Sequence, residues 1–133
     1  MLKIMPKKKI GKLTIPPDTF PEKHELVVAN IFIKSGSDVA FLKPRTGYKA
    51  KTPDIRMNGL DWEIKSPTGK SRNTISNQMH RASQQASNLI LDTSRTKLAE
   101  DLINKQLRKS LADHRSIKHL IVITKTGRII DIK

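Results

Sequence analysis

Hydrophobic positions along the chain fall into two rhythms, and each rhythm marks an element. Leu26, Val27, Ile31 and Ile33 support a helix that begins near Pro21, capped by Asp18 or Thr19, and runs to about Lys34, where Gly36 ends it. Val39-Ala40-Phe41-Leu42 reads as a short strand. The clearest segment comes next: Asn58-Gly59 is a type I′ hairpin turn between two alternating runs, Pro53 to Met57 and Leu60 to Lys65. A second helix is predicted from about Thr74 to Ser87, with Ile75, Met79, Ala82 and Ala86 on one side and Gln78, Arg81 and Gln85 on the other. Leu89-Ile90-Leu91 gives a short buried strand, and Thr96 to about Ala112 a helix carrying Leu98, Leu102, Leu107 and Leu111. Leu120 to Ile132 forms a hairpin turning at Thr126-Gly127. This order, α-β-ββ-α-β-α-ββ, predicts one α/β (α+β) domain with a central mixed sheet flanked by helices.

Length agrees with that reading, because 133 residues leave room for one core and no second catalytic domain. Residues 1–19 carry Lys3, Lys7, Lys8, Lys9 and Lys12 with three prolines, which predicts a basic, partly extended arm or linker ahead of a domain at 20–133. Between the first strand and the hairpin lies a basic loop with Lys43, Arg45, Lys49 and Lys51, placed to rim a substrate. Lys and Arg together number 26 against 12 Asp and Glu, a net charge of +14, and such an excess implies a polyanionic partner, nucleic acid first. No apolar stretch approaches the roughly 20 residues of a membrane span. With no cysteine, disulfides, thiolate zinc sites and a cysteine nucleophile are all excluded. His24, His80, His114 and His119 show no metal-ligand spacing.

Candidate chemistry concentrates on the central hairpin. Counting outward from the Asn58-Gly59 turn pairs Met57 with Leu60, Arg56 with Asp61, Ile55 with Trp62 and Asp54 with Glu63. Alternation then sets Asp54, Arg56, Asp61, Glu63 and Lys65 on one face and Ile55, Met57, Leu60, Trp62 and Ile64 on the other, which packs inward. Like charges directly across a ladder repel, so a cation is expected between Asp54 and Glu63. Two oxygen donors suit Mg²⁺, with Mn²⁺ and Zn²⁺ as alternatives, because such an ion completes its shell with water and substrate phosphate. Lys65 stands where it could help deprotonate an attacking water or stabilise charge on the phosphate. The plain alternative is an amphipathic hairpin with a solvated charged face, in which Arg56–Asp61 is a surface pair.

Pro53-Asp54 followed by Glu63-Ile64-Lys65 resembles the PD-(D/E)XK signature of the restriction-endonuclease-like nucleases, whose α-β-β-β-α-β core the chain would share, with an extra helix and a C-terminal hairpin added. The stretches Phe20-Pro21-Glu22-Lys23, Thr52-Pro53-Asp54-Ile55, Asn58-Gly59, Trp62-Glu63-Ile64-Lys65 and Leu89-Ile90-Leu91-Asp92 look like the nuclease domains ending CdiA-type contact-dependent inhibition toxins, with similar domains in phage minor head proteins. That resemblance implies a nuclease, often acting on tRNA, and an immunity protein partner. It also implies a first-helix acid, Glu22 with Glu25 as the fallback, beside Asp54, Glu63 and Lys65. Asn73, Gln78 and Arg81 on the second helix, with Lys49 and Lys51, are the candidate substrate contacts.

Together these readings predict a metal-dependent endonuclease, with tRNA favoured and DNA as the alternative. It would be part of a secreted toxin that acts in the target-cell cytoplasm. Two rivals remain: a metal-independent RNase in which His80 and Arg81 matter more than Asp54, and a non-catalytic basic module. No stacking platform is expected, since aromatics are 4% of the chain and Trp62 falls on the core face.

Overall fold

The structure is a computed structural model that describes residues 9–44 and 52–133. Ten elements follow one another: β1 (Leu13–Thr14), α1 (Lys23–Lys34), β2 (Val39–Phe41), β3 (Ile55–Met57), β4 (Leu60–Lys65), α2 (Thr74–Gln85), β5 (Asn88–Asp92), α3 (Glu100–Asp113), β6 (His119–Ile123) and β7 (Ile129–Asp131). The strands form one sheet in the same order as the chain, β1 to β7. Pairs β1–β2, β4–β5 and β5–β6 are parallel; β2–β3, β3–β4 and β6–β7 are antiparallel.

Strand alternation divides the interior into two cores. Ile90, Ile121 and Ile123 join Ile55, Met57, Trp62 and Ile64 against Val28, Ala29, Phe32 and Ile33 of α1. Leu89, Leu91, Leu120 and Val122, offset by one residue, pack instead with Ile75, Met79 and Ala82 of α2 and with Ile103 and Leu107 of α3. The result is three layers, with α1 covering one face of the sheet and α2 with α3 the other. Central strands β5 and β6 are covered on both faces, which is why they read as unbroken aliphatic runs.

The hairpin has the expected turn: Asn58 and Gly59 have φ of 54° and 77°, both in the left-handed region that a type I′ turn requires. A Cβ at Gly59 would meet nothing within 4 Å, so any cost of a side chain there is backbone strain alone. Gly59→Val is therefore expected to lower stability by about 1–2 kcal/mol without repacking the core, as a denaturation midpoint would register.

Three boundaries differ from the sequence expectation. Helix α1 is capped by Glu22 rather than by Asp18 or Thr19; Glu22 and Glu25 form a reciprocal capping box, with the Glu22 N–H donating to Glu25 Oε1 at 2.7 Å. Helix α3 starts at Glu100, four residues late, because the Thr96 hydroxyl donates to the Gly69 carbonyl at 2.5 Å and accepts the Leu98 N–H at 3.3 Å. Within the segment read as an arm, Leu13 and Thr14 pair in parallel with Val39 and Ala40. The Gly11 N–H donates to the Ile33 carbonyl at 2.8 Å, and a Cβ at Gly11 would fall 1.9 Å from the Ser37 carbonyl oxygen. That approach admits only glycine.

Candidate functional site

Asp54 occupies the point where the hairpin ladder breaks. Regular pairing runs from Met57–Leu60 through Arg56–Asp61 to Ile55–Trp62 and stops there, one pair short of the expected Asp54–Glu63 partnership. Beyond it the strand kinks. The Asp54 N–H still donates to the Trp62 carbonyl at 2.9 Å, but its own carbonyl faces the opposite neighbour and accepts the Leu42 N–H at 3.0 Å. Its side chain takes over the missing rung, with Oδ2 accepting the Ile64 N–H at 2.7 Å. Asp54 is thus locked by backbone on both sides while its carboxyl stays beside Glu63.

The two carboxyls interact closely, and their surroundings raise the proton affinity of both. Burial pushes the Asp54 carboxyl up from 3.8 to about 8, against the Ile64 N–H, which lowers it; the charges of Glu63 and Glu25 and a hydrogen bond with Glu25 add to the rise. Glu63 is also raised, chiefly by burial, and Lys65 opposes that rise. Lys65 Nζ lies 3.4 Å from Glu63 Oε1, with both side chains largely enclosed. Ionising all three acids at once would leave them with one ammonium, Lys65, as counter-charge, which, added to burial, is why Asp54 retains its proton so far up in pH. Arg56 supplies no second one: its guanidinium is tied to Asp61 at 2.8 Å on the exposed part of the hairpin.

Of the two first-helix acids, the structure brings Glu25 to Asp54 and Glu63, not Glu22. Glu22 is exposed at the helix N-cap and lines a separate cavity with Lys23, His24, Val27, Asp92, Ser94 and Arg95. The sequence signal was the capping box itself, since an acid at the third helical position lies one turn into α1. Glu25 already accepts the Glu22 N–H. Among the described residues no group of three or more His, Cys, Asp or Glu is arranged to hold a metal ion.

The remaining candidates are scattered. Asn73 is the exposed N-cap of α2, Gln78 is half-buried and Arg81 exposed on the same helix. Lys49 and Lys51 lie outside the described residues. Not anticipated were the interactions around Asp92, which is buried, accepts the Ser66 hydroxyl at 2.9 Å and the Ser94 N–H at 2.9 Å, and so fixes the chain leaving β4. Not assigned from the sequence either was Phe20, which is 88% exposed and lines the cavity that contains Asp54 and Glu25.

Comparison with known proteins agrees with this architecture. No protein of curated function matches the chain. A solved structure, the CdiA-CT/CdiI toxin and immunity complex from Burkholderia pseudomallei, contains a chain of the same fold, with TM-score 0.68 and 24% identity over 92% of this chain and 99% of that one. Among the described residues no helix is long and apolar enough to cross a membrane. Residues 51–129, more than half the chain and the part that holds the hairpin, match the model of the contact-dependent growth inhibition CdiA C-terminal domain, and the chain belongs to that family.

Proposed function

We propose that this domain is the toxic part of a contact-dependent growth inhibition protein and acts as a metal-dependent nuclease. The observation that carries the reading is the half-buried Asp54–Glu63 pair, short of a counter-charge, in a chain of net charge +14. A structural domain has no use for such a pair, and a passive phosphate-binding surface would be weakened by it.

Asp54 and Glu63 would hold a divalent ion, Mg²⁺ first, with Mn²⁺ or Zn²⁺ as alternatives. Such an ion supplies Lewis acidity at phosphate and lowers the proton affinity of water. Asp54 is positioned for this by the hydrogen bond that its Oδ2 accepts from the Ile64 N–H, which fixes the carboxyl beside Glu63. Lys65, held against Glu63, would neutralise charge that develops on the phosphate oxygens. Glu25 sets the charge of the pair from α1. The basic surface, with Asn73, Gln78 and Arg81 on α2, would grip the backbone.

RNA, and tRNA in particular, is favoured over DNA by resemblance to the toxin nucleases, and the Pro53-Asp54…Glu63-Ile64-Lys65 spacing on adjoining strands supports a PD-(D/E)XK relationship. The immunity protein in the similar complex supports a cognate immunity partner here, and the family supports secretion and action in a target-cell cytoplasm.

The test is incubation with total RNA, tRNA and plasmid DNA in Mg²⁺, Mn²⁺, Zn²⁺ or EDTA. Cleavage that requires metal is expected, and undiminished cleavage in EDTA would replace this mechanism with metal-independent catalysis. Lys65→Met should reduce kcat about 100-fold with KM nearly unchanged, because the ammonium acts on charge that develops only in the transition state. A change confined to KM would make Lys65 a binding residue instead.

A further inference from the structure

We infer that Phe20 is a stacking platform for one nucleobase of the substrate, set beside the carboxyl pair. The inference rests on the nuclease reading for its ligand but on separate observations for its geometry. Phe20 is the most exposed large hydrophobic residue of the described chain, at 88%. It lines a cavity of about 190 Å³ together with Pro21, Glu25, Leu42, Pro53 and Asp54, so one wall is an aromatic ring and another is the site itself.

The ring is presented on stiff backbone. Thr19 N–H donates to the Pro16 carbonyl at 3.3 Å, closing a turn with Pro17 second and Asp18, at φ 61°, third, the positive φ that a type II turn needs. Pro21 follows and confines Phe20 to extended conformations. Exposed phenylalanine on a flexible tail would fold back on the surface; here the Pro17-Asp18 turn before it, Pro21 after it and the capped start of α1 oppose that.

A base is the occupant that the surroundings favour. The cavity accepts one planar ring system. Without metal the neighbouring acids disfavour phosphate, so a neutral ring face is the part of a nucleotide that best tolerates this spot, while the backbone lies over the cationic surface. Stacking is also sequence-tolerant, as every base has a π-face. A protein partner seated on Phe20 is the competing occupant.

The test is binding in EDTA of a short fluorescent single-stranded RNA and of its counterpart with one abasic position, to the wild-type chain and to Phe20→Ala, Phe20→Leu and Phe20→Trp. Phe20→Ala should weaken binding of the intact strand about 10-fold, within the range of one stacked base. Leu should not restore it and Trp should. Some abasic position along the strand should abolish the difference between wild type and Phe20→Ala. The salt dependence should keep its slope, since no phosphate contact is removed. Melting temperatures should not change, because the side chain touches little.

Equal affinity of wild type and Phe20→Ala for the intact strand overturns the platform and makes Phe20 a protein-contact residue. Full rescue by Leu overturns it too. Because no cleavage is required, ring-dependent binding without hydrolysis in any metal would retain the platform while rejecting the nuclease. Metal-dependent hydrolysis with unchanged Phe20→Ala binding would do the reverse.

Discussion

Asp54→Asn is expected to reduce cleavage by about 1,000-fold or more and, in the same protein, to raise the melting temperature of the metal-free chain at alkaline pH. The first effect follows from losing one of two anionic oxygen donors. The second follows from the carboxyl's shift from 3.8 to about 8. A group with raised folded-state pKa supports the fold fully below its unfolded value, and that support is lost as pH rises through the folded value. Wild-type protein without metal should therefore lose stability steadily between about pH 4 and pH 8 on account of this group. The amide does not ionise and can still accept the Ile64 N–H through its oxygen. Its melting temperature at about pH 9 should exceed that of the wild type by at least about 3 °C, and the difference should vanish near pH 4. Added Mg²⁺ should stabilise the wild type and not the variant. A variant that melts lower at every pH would show that the carboxyl is not under electrostatic stress.

The largest loss of stability is expected from Trp62→Ala. The indole is 4% exposed, packs in the core beneath α1, and its N–H donates to the Met57 carbonyl at 3.0 Å across the hairpin. Removing it deletes a large buried surface and one cross-hairpin hydrogen bond, a combined cost of about 3–5 kcal/mol. Denaturation followed by circular dichroism should show the loss, as Trp62 is the chain's one tryptophan and the variant has no indole signal. Trp62→Phe should retain most of the stability. A cost below about 1 kcal/mol would mean that the hairpin does not depend on this anchor.

What could be read from the amino acids, and what could not, divides at the reach of local rules. The Asn58-Gly59 turn determined register outward to Ile55–Trp62 and assigned each hairpin side chain to its face. The kink at Asp54 was not legible, since it arises when a side chain replaces a backbone acceptor for the Ile64 N–H, which residue type and alternation do not reveal. The choice between Glu22 and Glu25 turned on where α1 begins, and a shift of two residues decides which acid faces the strands. Strand β1 escaped notice because its two residues sit among lysines and prolines, and only the partner β2 defines them as a strand. Phe20 was legible as an aromatic residue but not as an exposed one, because exposure is a property of the assembled surface.

Sheet order has a mechanical consequence. Since β1 through β7 lie side by side in chain order, the first and last strands form opposite edges. Tension applied to the two ends would pull outward on both edges, so the ladders would be loaded one after another rather than together. Each rupture would release a strand of two to six residues and expose the next, with β7 held by three register pairs and β1 by two. Rebuilding is easiest at the hairpins β3–β4 and β6–β7, whose strands are joined by short turns, while each parallel pair must close across an intervening helix. Sheet order alone thus predicts rupture from the two edges inward.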